Sequence, residues 1–254
     1  MDVNKNSYTF GFAAIMVVIV AALLSVAAIE LKPYQDRNIE LEKKQNILSS
    51  VGIAVDRDAA EDAYSQYIIS ELVLNDKGEE VEGSAFNIDL GAELKKQSDK
   101  QLFPLFISEV DGTTRYIIPL RGKGLWGPIW GFLSLEDDLN KVFGAVFDHE
   151  KETPGLGAEI NQAFFQEPFS GKTIFEGTEF TSIAVTKGAF SEGHMHRVDA
   201  ISGGTITSDG VSEMLNERLE KYLPYFDRIR PEVEVDSILS QMDSTKVENE
   251  IILD

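Results

Sequence analysis

The longest apolar segment of the chain runs from Phe10 to Ile29 and contains no charged residue in 20 positions. A helix of that length spans about 30 Å, which is the thickness of the hydrocarbon core of a bilayer. The small residues in SVAAIE also suit the cleavage site of a signal peptide, but the positive charge before the run is weak and the run exceeds a usual signal-peptide core. The pattern therefore favours a retained membrane anchor.

Charged and apolar residues alternate with a helical period directly after this anchor. Between Leu31 and Ser50 the apolar positions include Ile39, Ile47 and Leu48, and Val51 continues the series. This spacing predicts an amphipathic helix that leaves the membrane.

Short apolar runs bounded by turn residues follow, and they predict β-strands. Turns are expected at Asn75–Gly78, Asp111–Gly112 and Asp137–Asn140, with strands on either side, and TIFEG and TSIAVTKG supply further strands. Strands joined by such short connections must pair antiparallel. Helical patterns lie at 158–165 and 211–223. The predicted fold class is α+β, an antiparallel sheet with packed helices, preceded by one N-terminal transmembrane helix.

The same pattern divides the chain into five parts. These are a short N-terminal tail at 1–9, the transmembrane helix at 10–29, a membrane-proximal α+β region at 30–100, a domain rich in glycine loops at 101–226, and an acidic tail at 227–254.

The charge of the chain excludes several classes of partner. The formal net charge is −20, from 43 acidic and 23 basic residues, which argues against binding to nucleic acid or to an anionic lipid surface. Without cysteine there are no disulfides, thiolate metal sites or thiol nucleophiles. His194 and His196 could share one face of a strand, but a third metal ligand is not evident, so no metal site is predicted.

One glycine-rich loop precedes the last helical pattern, with the sequence DAISGGTITSDG; we call residues 199–210 the threonine loop. Gly203 and Gly204 allow close approach of the backbone to an anion, as a phosphate-binding loop requires. Ser208 or Asp209 could cap the helix that follows. The residues alone leave a phosphate site and a capped turn about equally well supported.

Two other segments differ from ordinary turns: the proline loop at 149–160, HEKETPGLGAEI, and the tryptophan loop at 120–132, LRGKGLWGPIWGF. Gly155 and Gly157 flank Leu156, so an apolar side chain lies on a backbone that can approach a flat ligand. Trp130 alternates with apolar residues and is expected in the core, whereas Trp126 lies in the loop and could stack on a planar ligand.

Together these motifs resemble a known family. SGGTITS resembles the flavinylation motif of FMN-binding domains in bacterial ion-translocating respiratory complexes, and HEKETPGLG resembles their shared proline–glycine loop. RGKGLWGPIWGF is similar to the corresponding stretch of the C-subunit family of sodium-translocating NADH:quinone oxidoreductases. Three motifs in the same order make the resemblance specific, and it implies that residues 101–226 form a covalent FMN-binding domain.

The resemblance also implies site residues. Thr205 would carry FMN through a phosphoester, attached by a separate FAD:protein FMN transferase, and Asp199 would serve recognition by the transferase or by its divalent metal. Leu156 and Trp126 would pack on the isoalloxazine, and Lys187 would stabilise the phosphate or the reduced flavin. The full set of expected cofactor-binding residues is Ser202, Gly203, Gly204, Thr205, Thr207, Trp126, Glu152, Thr153, Gly155, Leu156, Gly157 and Lys187, where Glu152 and Thr153 would hydrogen-bond the flavin and Gly204 departs from the alanine usual in the motif. No residue is expected to be catalytic in its own right.

By this resemblance the chain is expected to relay electrons from NADH toward quinone as one subunit of a sodium pump in the bacterial inner membrane. Its partners would be the other membrane subunits and the transferase. The family has its flavin domain on the periplasmic side, whereas the basic residues that follow the span would by themselves predict a cytoplasmic domain. The alternatives are the G-subunit of a related ferredoxin:NAD-type electron transport complex, or a non-redox, membrane-tethered binding module.

Overall fold

In a computed structural model, residues 6–188 and 193–230 of the 254-residue chain are described. The structure opens with α1 (Asn6–Ser50), a single helix of 45 residues. Its N-terminal part has the length and the apolar composition of a membrane span and is not buried against the rest of the protein. The predicted anchor and the predicted amphipathic segment are therefore one continuous helix.

The C-terminal end of α1 is anchored in the folded domain. Ile47, Leu48 and Val51 are 0%, 0% and 1% exposed, and they pack with Phe106 in one hydrophobic cluster. Complete burial of such a side chain contributes about 1.5–3 kcal/mol relative to leaving it in water. Ile39 was expected on the same face but is 65% exposed, because the helix meets the domain only from about Leu41 onward.

A six-stranded sheet forms the centre of the domain. The remaining elements up to the last strand of this sheet are α2 (Ala60–Tyr67), β1 (Ile68–Leu74), β2 (Glu80–Val81), α3 (Leu90–Glu93), β3 (Phe103–Val110), β4 (Thr113–Lys123), β5 (Pro128–Leu135) and β6 (Val142–His149). The strand order is β2-β1-β3-β4-β5-β6, and every neighbouring pair is antiparallel. The predicted α+β class and antiparallel sheet are confirmed.

Both faces of this sheet are covered. Successive side chains of a strand point to opposite faces, and accordingly Ile117 belongs to the cluster beneath α1 while Ile118 belongs to the larger cluster on the other face. The elements after β6 build that second layer: α4 (Ala163–Gln166), β7 (Phe175–Glu176), β8 (Glu179–Phe180), β9 (Ala184–Thr186), β10 (Arg197–Asp199), α5 (Thr205–Glu220) and α6 (Leu223–Ile229). Helix α5 packs on β4, and β9 pairs with β10 in parallel.

The helix predicted at 158–165 is interrupted. A 3-10 turn covers Gly157–Asn161, Gln162 is extended, and α4 begins at Ala163. Ile160 and Phe165 are both buried in the same cluster. Residues five apart lie on different faces of a continuous helix, so the break at Gln162 lets both side chains enter the core.

Candidate functional site

The three glycine-rich loops meet at the side chain of Glu152, which is 5% exposed. The backbone N–H of Trp126 donates a hydrogen bond of 2.8 Å to Oε1 of this carboxylate. The hydroxyl of Thr207 donates one of 2.6 Å to Oε2. Hydrogen bonds to ionised acceptors are about twice as strong as neutral ones. Glu152, from the proline loop, therefore holds the tryptophan loop and the threonine loop in one place.

Two glycines make this junction possible. A Cβ atom on Gly157 would overlap Oγ1 of Thr207 and Oε2 of Glu152, and one on Gly124 would lie 2.5 Å from Oε1. Neither position has room for a side chain. The glycines flanking these motifs thus allow three backbones to converge around one buried carboxylate.

Thr205 is the first residue of α5 and is partly exposed. The residue before it, Gly204, is the N-cap, and no side chain caps this end of the helix. The first backbone bond that closes the helix runs from the N–H of Ser208 to the carbonyl of Gly204. The N–H groups of the preceding turn therefore face outward beside the Thr205 hydroxyl, which is the arrangement that binds anions at helix N-termini.

The expected capping residues were assigned wrongly. The helix begins six residues earlier than the hydrophobic pattern indicates, so Ser208 and Asp209 lie inside it. Ser208 is fully buried, and its hydroxyl accepts a hydrogen bond of 3.1 Å from the N–H of Ile201. It ties the threonine loop to the helix and leaves the N-terminus open.

The threonine loop touches the proline loop directly. Gly203 has φ +79°, a conformation that favours glycine, and a Cβ there would lie 2.7 Å from Cδ2 of Leu156. Ser202 and Gly203 are exposed. A shallow cradle with exposed backbone next to an apolar side chain fits a phosphate that continues into a flat ring.

Exposed apolar side chains surround this cradle on all three loops. Trp126 is 64%, Leu125 46%, Leu156 41% and Ile206 57% exposed. The sequence analysis did not select Leu125 and Ile206 as candidate site residues. The signal that could have indicated them was an apolar residue next to a glycine or a hydroxyl residue. Large apolar side chains exposed together mark a ligand or partner surface.

Trp130 is not a core residue. It is half-buried, and the guanidinium of Arg121 lies 5.8 Å from its ring centroid. The prediction from alternation was wrong because Trp130 lines a groove between α1 and the sheet and is only partly covered there.

Thr153 and Gly155 belong to the proline loop itself, and Lys187 lies next to a strand that contacts the start of the threonine loop. The Thr153 carbonyl accepts from the N–H groups of Leu156 and Ala158, and Gly155 has φ +77°. Lys187 is exposed and follows β9, whose last residue, Thr186, accepts a 2.8 Å bond from the N–H of Ala200 at the start of the threonine loop.

The His196 side chain has a structural setting. His196 lies next to Thr173, with 2.7 Å between Nδ1 and the carbonyl oxygen. Over residues 6–188 and 193–230, no group of three or more His, Asp or Glu side chains is arranged to hold a metal ion.

Comparison with known proteins identifies the family. Residues 124–220, which include the central residues of all three loops, match the family described as FMN-binding domain. The chain is 31% identical over 228 residues to the Na(+)-translocating NADH-quinone reductase C-subunit of Haemophilus ducreyi, covering 82% of this chain and 88% of that protein. It is 27% identical to the protein of the same name from Vibrio alginolyticus, with 91% and 98% covered.

Solved structures show the same fold. The crystal structure of the Na(+)-translocating NADH-quinone reductase C-subunit from Parabacteroides distasonis superposes with a TM-score of 0.72 at 43% identity, covering 77% of this chain and 96% of that one. Shewanella oneidensis NqrC superposes with a TM-score of 0.66 at 24% identity, covering 75% and 97%. The chain therefore belongs to the C-subunit family of the Na⁺-translocating NADH-quinone reductase, an oxidoreductase complex, and contains its FMN-binding domain.

Proposed function

We propose that this protein is a membrane-anchored flavoprotein subunit that carries FMN on Thr205 through a phosphoester and relays electrons from NADH toward quinone. The observation that carries the proposal is the junction at Glu152. It brings the three loops together and leaves the Thr205 hydroxyl at an uncapped helix N-terminus, beside exposed apolar side chains.

The residues present fit such a group. The phosphate would lie along Ser202, Gly203 and Gly204 with the N–H groups of the first turn of α5 directed at it, and the positive end of the helix dipole favours its charge. Trp126 and Leu156 offer apolar surface for the isoalloxazine, while Lys187, Thr153, Gly155 and Gly157 would complete the surroundings. Bound FMN supplies the electron transfer, and this chain supplies its position and environment.

In this proposal Glu152 positions the loops of the site in addition to the expected hydrogen bond to the flavin, since each carboxylate oxygen can accept more than one bond. Both of its carboxylate oxygens already accept hydrogen bonds, from Trp126 and from Thr207. Thr207 is two residues from Thr205 on the same turn of α5. Glu152 therefore sets where the acceptor hydroxyl lies relative to the tryptophan loop.

The attachment requires an enzyme. An FAD:protein FMN transferase would join the Thr205 oxygen to the FMN phosphorus while the pyrophosphate bond of FAD breaks and AMP leaves; the hydroxyl proton passes to a base of the transferase. A partly exposed threonine flanked by glycines suits this approach, and Asp199 at the start of the loop would contribute to recognition.

The anchor and the relatives support the placement in a complex. We infer that residues 10–29 span the bacterial inner membrane, that the folded domain lies on the periplasmic side, and that other membrane subunits of the sodium pump cover the exposed apolar helix. One span cannot line an ion path alone. The names of the relatives favour the sodium pump over a ferredoxin:NAD-type complex and its G-subunit.

Intact mass tests the attachment directly. The full chain would be exported together with the transferase, purified, denatured and weighed. We expect a mass increase equal to FMN less one water, with in-gel flavin fluorescence. Thr205→Ser should keep both signals because it keeps the hydroxyl. Thr205→Val should still fold but should lose both signals because it lacks the hydroxyl.

Two results would overturn the proposal. Unmodified wild-type protein would favour a non-redox binding module. Bound FMN on Thr205→Val would place the linkage elsewhere.

A further inference from the structure

A second concave site lies at the opposite end of α5 from Thr205. Its volume is about 760 Å³, and its lining comes from the region of α3, from the end of β4 and from the last turn of α5. Arg218 in this site follows Thr205 by 13 residues, which corresponds to about 20 Å along the helix. The last turn of α5 in this cleft is therefore far from Thr205, although Arg121 and Lys123 of the lining also belong to the tryptophan loop.

Cations dominate this cleft although the chain as a whole is strongly acidic. The basic residues that line it are Lys95, Arg121, Lys123, Arg218 and Lys221. Among the described residues, only Arg218 of these five forms an ion pair, at 2.8 Å to Glu217. The acidic lining residues are Asp89, Glu217 and Glu220, and Asp89 is engaged with the N–H of Gly91.

The side chain of Arg218 is incompletely satisfied. It is 9% exposed, and its Nη2 atom makes the bond to Glu217, whose own side chain is 63% exposed. Within the described part of the chain, its buried Nε and Nη1 atoms have no hydrogen-bond partner. A buried charged donor without an acceptor is costly. Nε and Nη1 donate on different sides of the guanidinium, so separate acceptor oxygens are needed to satisfy them.

The helix alone does not explain this gathering of charge. Arg218 and Lys221 lie at the C-terminal end of α5, where cations are favourable for the helix dipole. Arg121 and Lys123 come from β4, and Lys95 from the segment after α3. The Arg121 side chain lies close against α3, since a Cβ on Gly91 would be 2.9 Å from its Nε. Three separate elements therefore direct cations to one cleft.

We propose that this cleft binds a small polyanion that carries phosphate groups. The volume lies in the range of small-molecule sites, and the cationic, largely polar lining selects a charged ligand over an apolar one. Guanidinium groups bind phosphate oxygens in pairs, and the lysines add point charges. The acidic side chains at the rim can accept from hydroxyl groups of the ligand. Either a soluble phosphate compound or the headgroup of an anionic phospholipid has this chemistry.

Calorimetric titration of the full chain in neutral detergent tests the site, with pyrophosphate as the probe at low ionic strength. We expect saturable binding of one pyrophosphate, weakened by added NaCl. Arg121→Gln combined with Lys123→Gln should weaken it at least tenfold, whereas Lys77→Gln removes a single charge on the β1–β2 turn and should leave it unchanged. Thr205→Val should also leave it unchanged, which separates this site from the flavin site.

A second arm distinguishes the source of the phosphate. The chain would be placed in nanodiscs of phosphatidylglycerol or of phosphatidylcholine, and protection of the cleft from hydrogen exchange compared. If the cleft is protected from hydrogen exchange only in phosphatidylglycerol, and the Arg121→Gln, Lys123→Gln variant loses this protection, the ligand is a lipid headgroup. Saturable binding of pyrophosphate assigns a soluble ligand. Arg218→Gln, whose fold is checked by its thermal unfolding, should abolish whichever is seen. Absence of both signals, or equal signals from the double variant and the wild type, overturns the proposal.

Discussion

Replacing Thr207 by valine isolates the contribution of the junction at Glu152. Valine has nearly the shape of threonine, so the change creates no cavity and replaces the hydroxyl that donates 2.6 Å to the buried carboxylate by a methyl group that cannot donate. Among the described residues, Trp126 then remains the one hydrogen-bond donor to a carboxylate that is 5% exposed.

The expected cost follows from that burial. A hydrogen bond to a charged group contributes about 1.5–3 kcal/mol, and the carboxylate that loses this donor is only 5% exposed. We expect Thr207→Val to lower the free energy of unfolding by about 2 kcal/mol, which for a domain of this size lowers Tm by about 4–8 °C. Thr207→Ser keeps the hydroxyl and should lose less than half as much.

Thermal unfolding of the unmodified full chain in detergent, followed by circular dichroism, measures this effect apart from any flavin. A double-mutant cycle with Glu152→Gln should show coupling, since Glu152→Gln changes the charged acceptor and Thr207→Val removes the donor of the same bond, and the double variant should lose less than the sum of the two. The rate of flavin attachment by the transferase should fall for Thr207→Val and recover for Thr207→Ser. Equal Tm values for the valine and serine variants would refute the reasoning, as would additive losses in the cycle.

Three further predictions address packing, titration and the exposed surface. Gly157→Ala should lower the free energy of unfolding, measured in urea, by more than about 2 kcal/mol because the added Cβ would overlap Thr207 and Glu152. The control Gly127→Ala should be tolerated, because its Cβ would lie 3.7 Å from the nearest atom. Burial raises the pKa of Tyr64 and of Tyr222 above the usual 10.0. Above about pH 9 the unfolded state begins to release these protons, whereas the folded state keeps them. The urea concentration at the unfolding midpoint should therefore decrease as the pH rises from about 9 to about 11, and a midpoint that does not change with pH would contradict this. Trp126→Ala should change Tm by less than about 1 °C, since the side chain is 64% exposed, but should raise the fluorescence of attached flavin by removing a stacking partner; unchanged fluorescence would show that the indole lies elsewhere.

Much of this architecture follows from local sequence patterns. The apolar run at 10–29 and the hairpin around Asp111 and Gly112 depend on the period of hydrophobic residues and on turn residues that lie next to each other in the chain. The structure has β3 and β4 on the two sides of that turn, with Asp111 at φ 54° and Gly112 at φ 75°. Such signals need no knowledge of distant contacts, and the α+β class with an antiparallel sheet follows from them.

Element ends depended on tertiary contacts. The local sequence of the threonine loop predicts a turn. The start of α5 at Thr205 is set instead by the fold of this loop, in which the Ser208 hydroxyl accepts a hydrogen bond from the N–H of Ile201. The break at Gln162 arises because Ile160 and Phe165 enter one core together. Neither position carries a local signal strong enough to reveal this.

The site divides in the same way. Its three motifs are visible in the sequence, because close backbone approach demands glycine wherever it occurs. The point where the three loops meet cannot be seen in the sequence, because Glu152 and Thr207 are 55 residues apart and only the folded chain brings the carboxylate to the hydroxyl. The cationic cleft likewise collects Lys95, Arg121 and Arg218 from separate elements. Sequence therefore determined which residues could form each site, and the tertiary structure decided which of them share one, since long-range packing alone sets those distances.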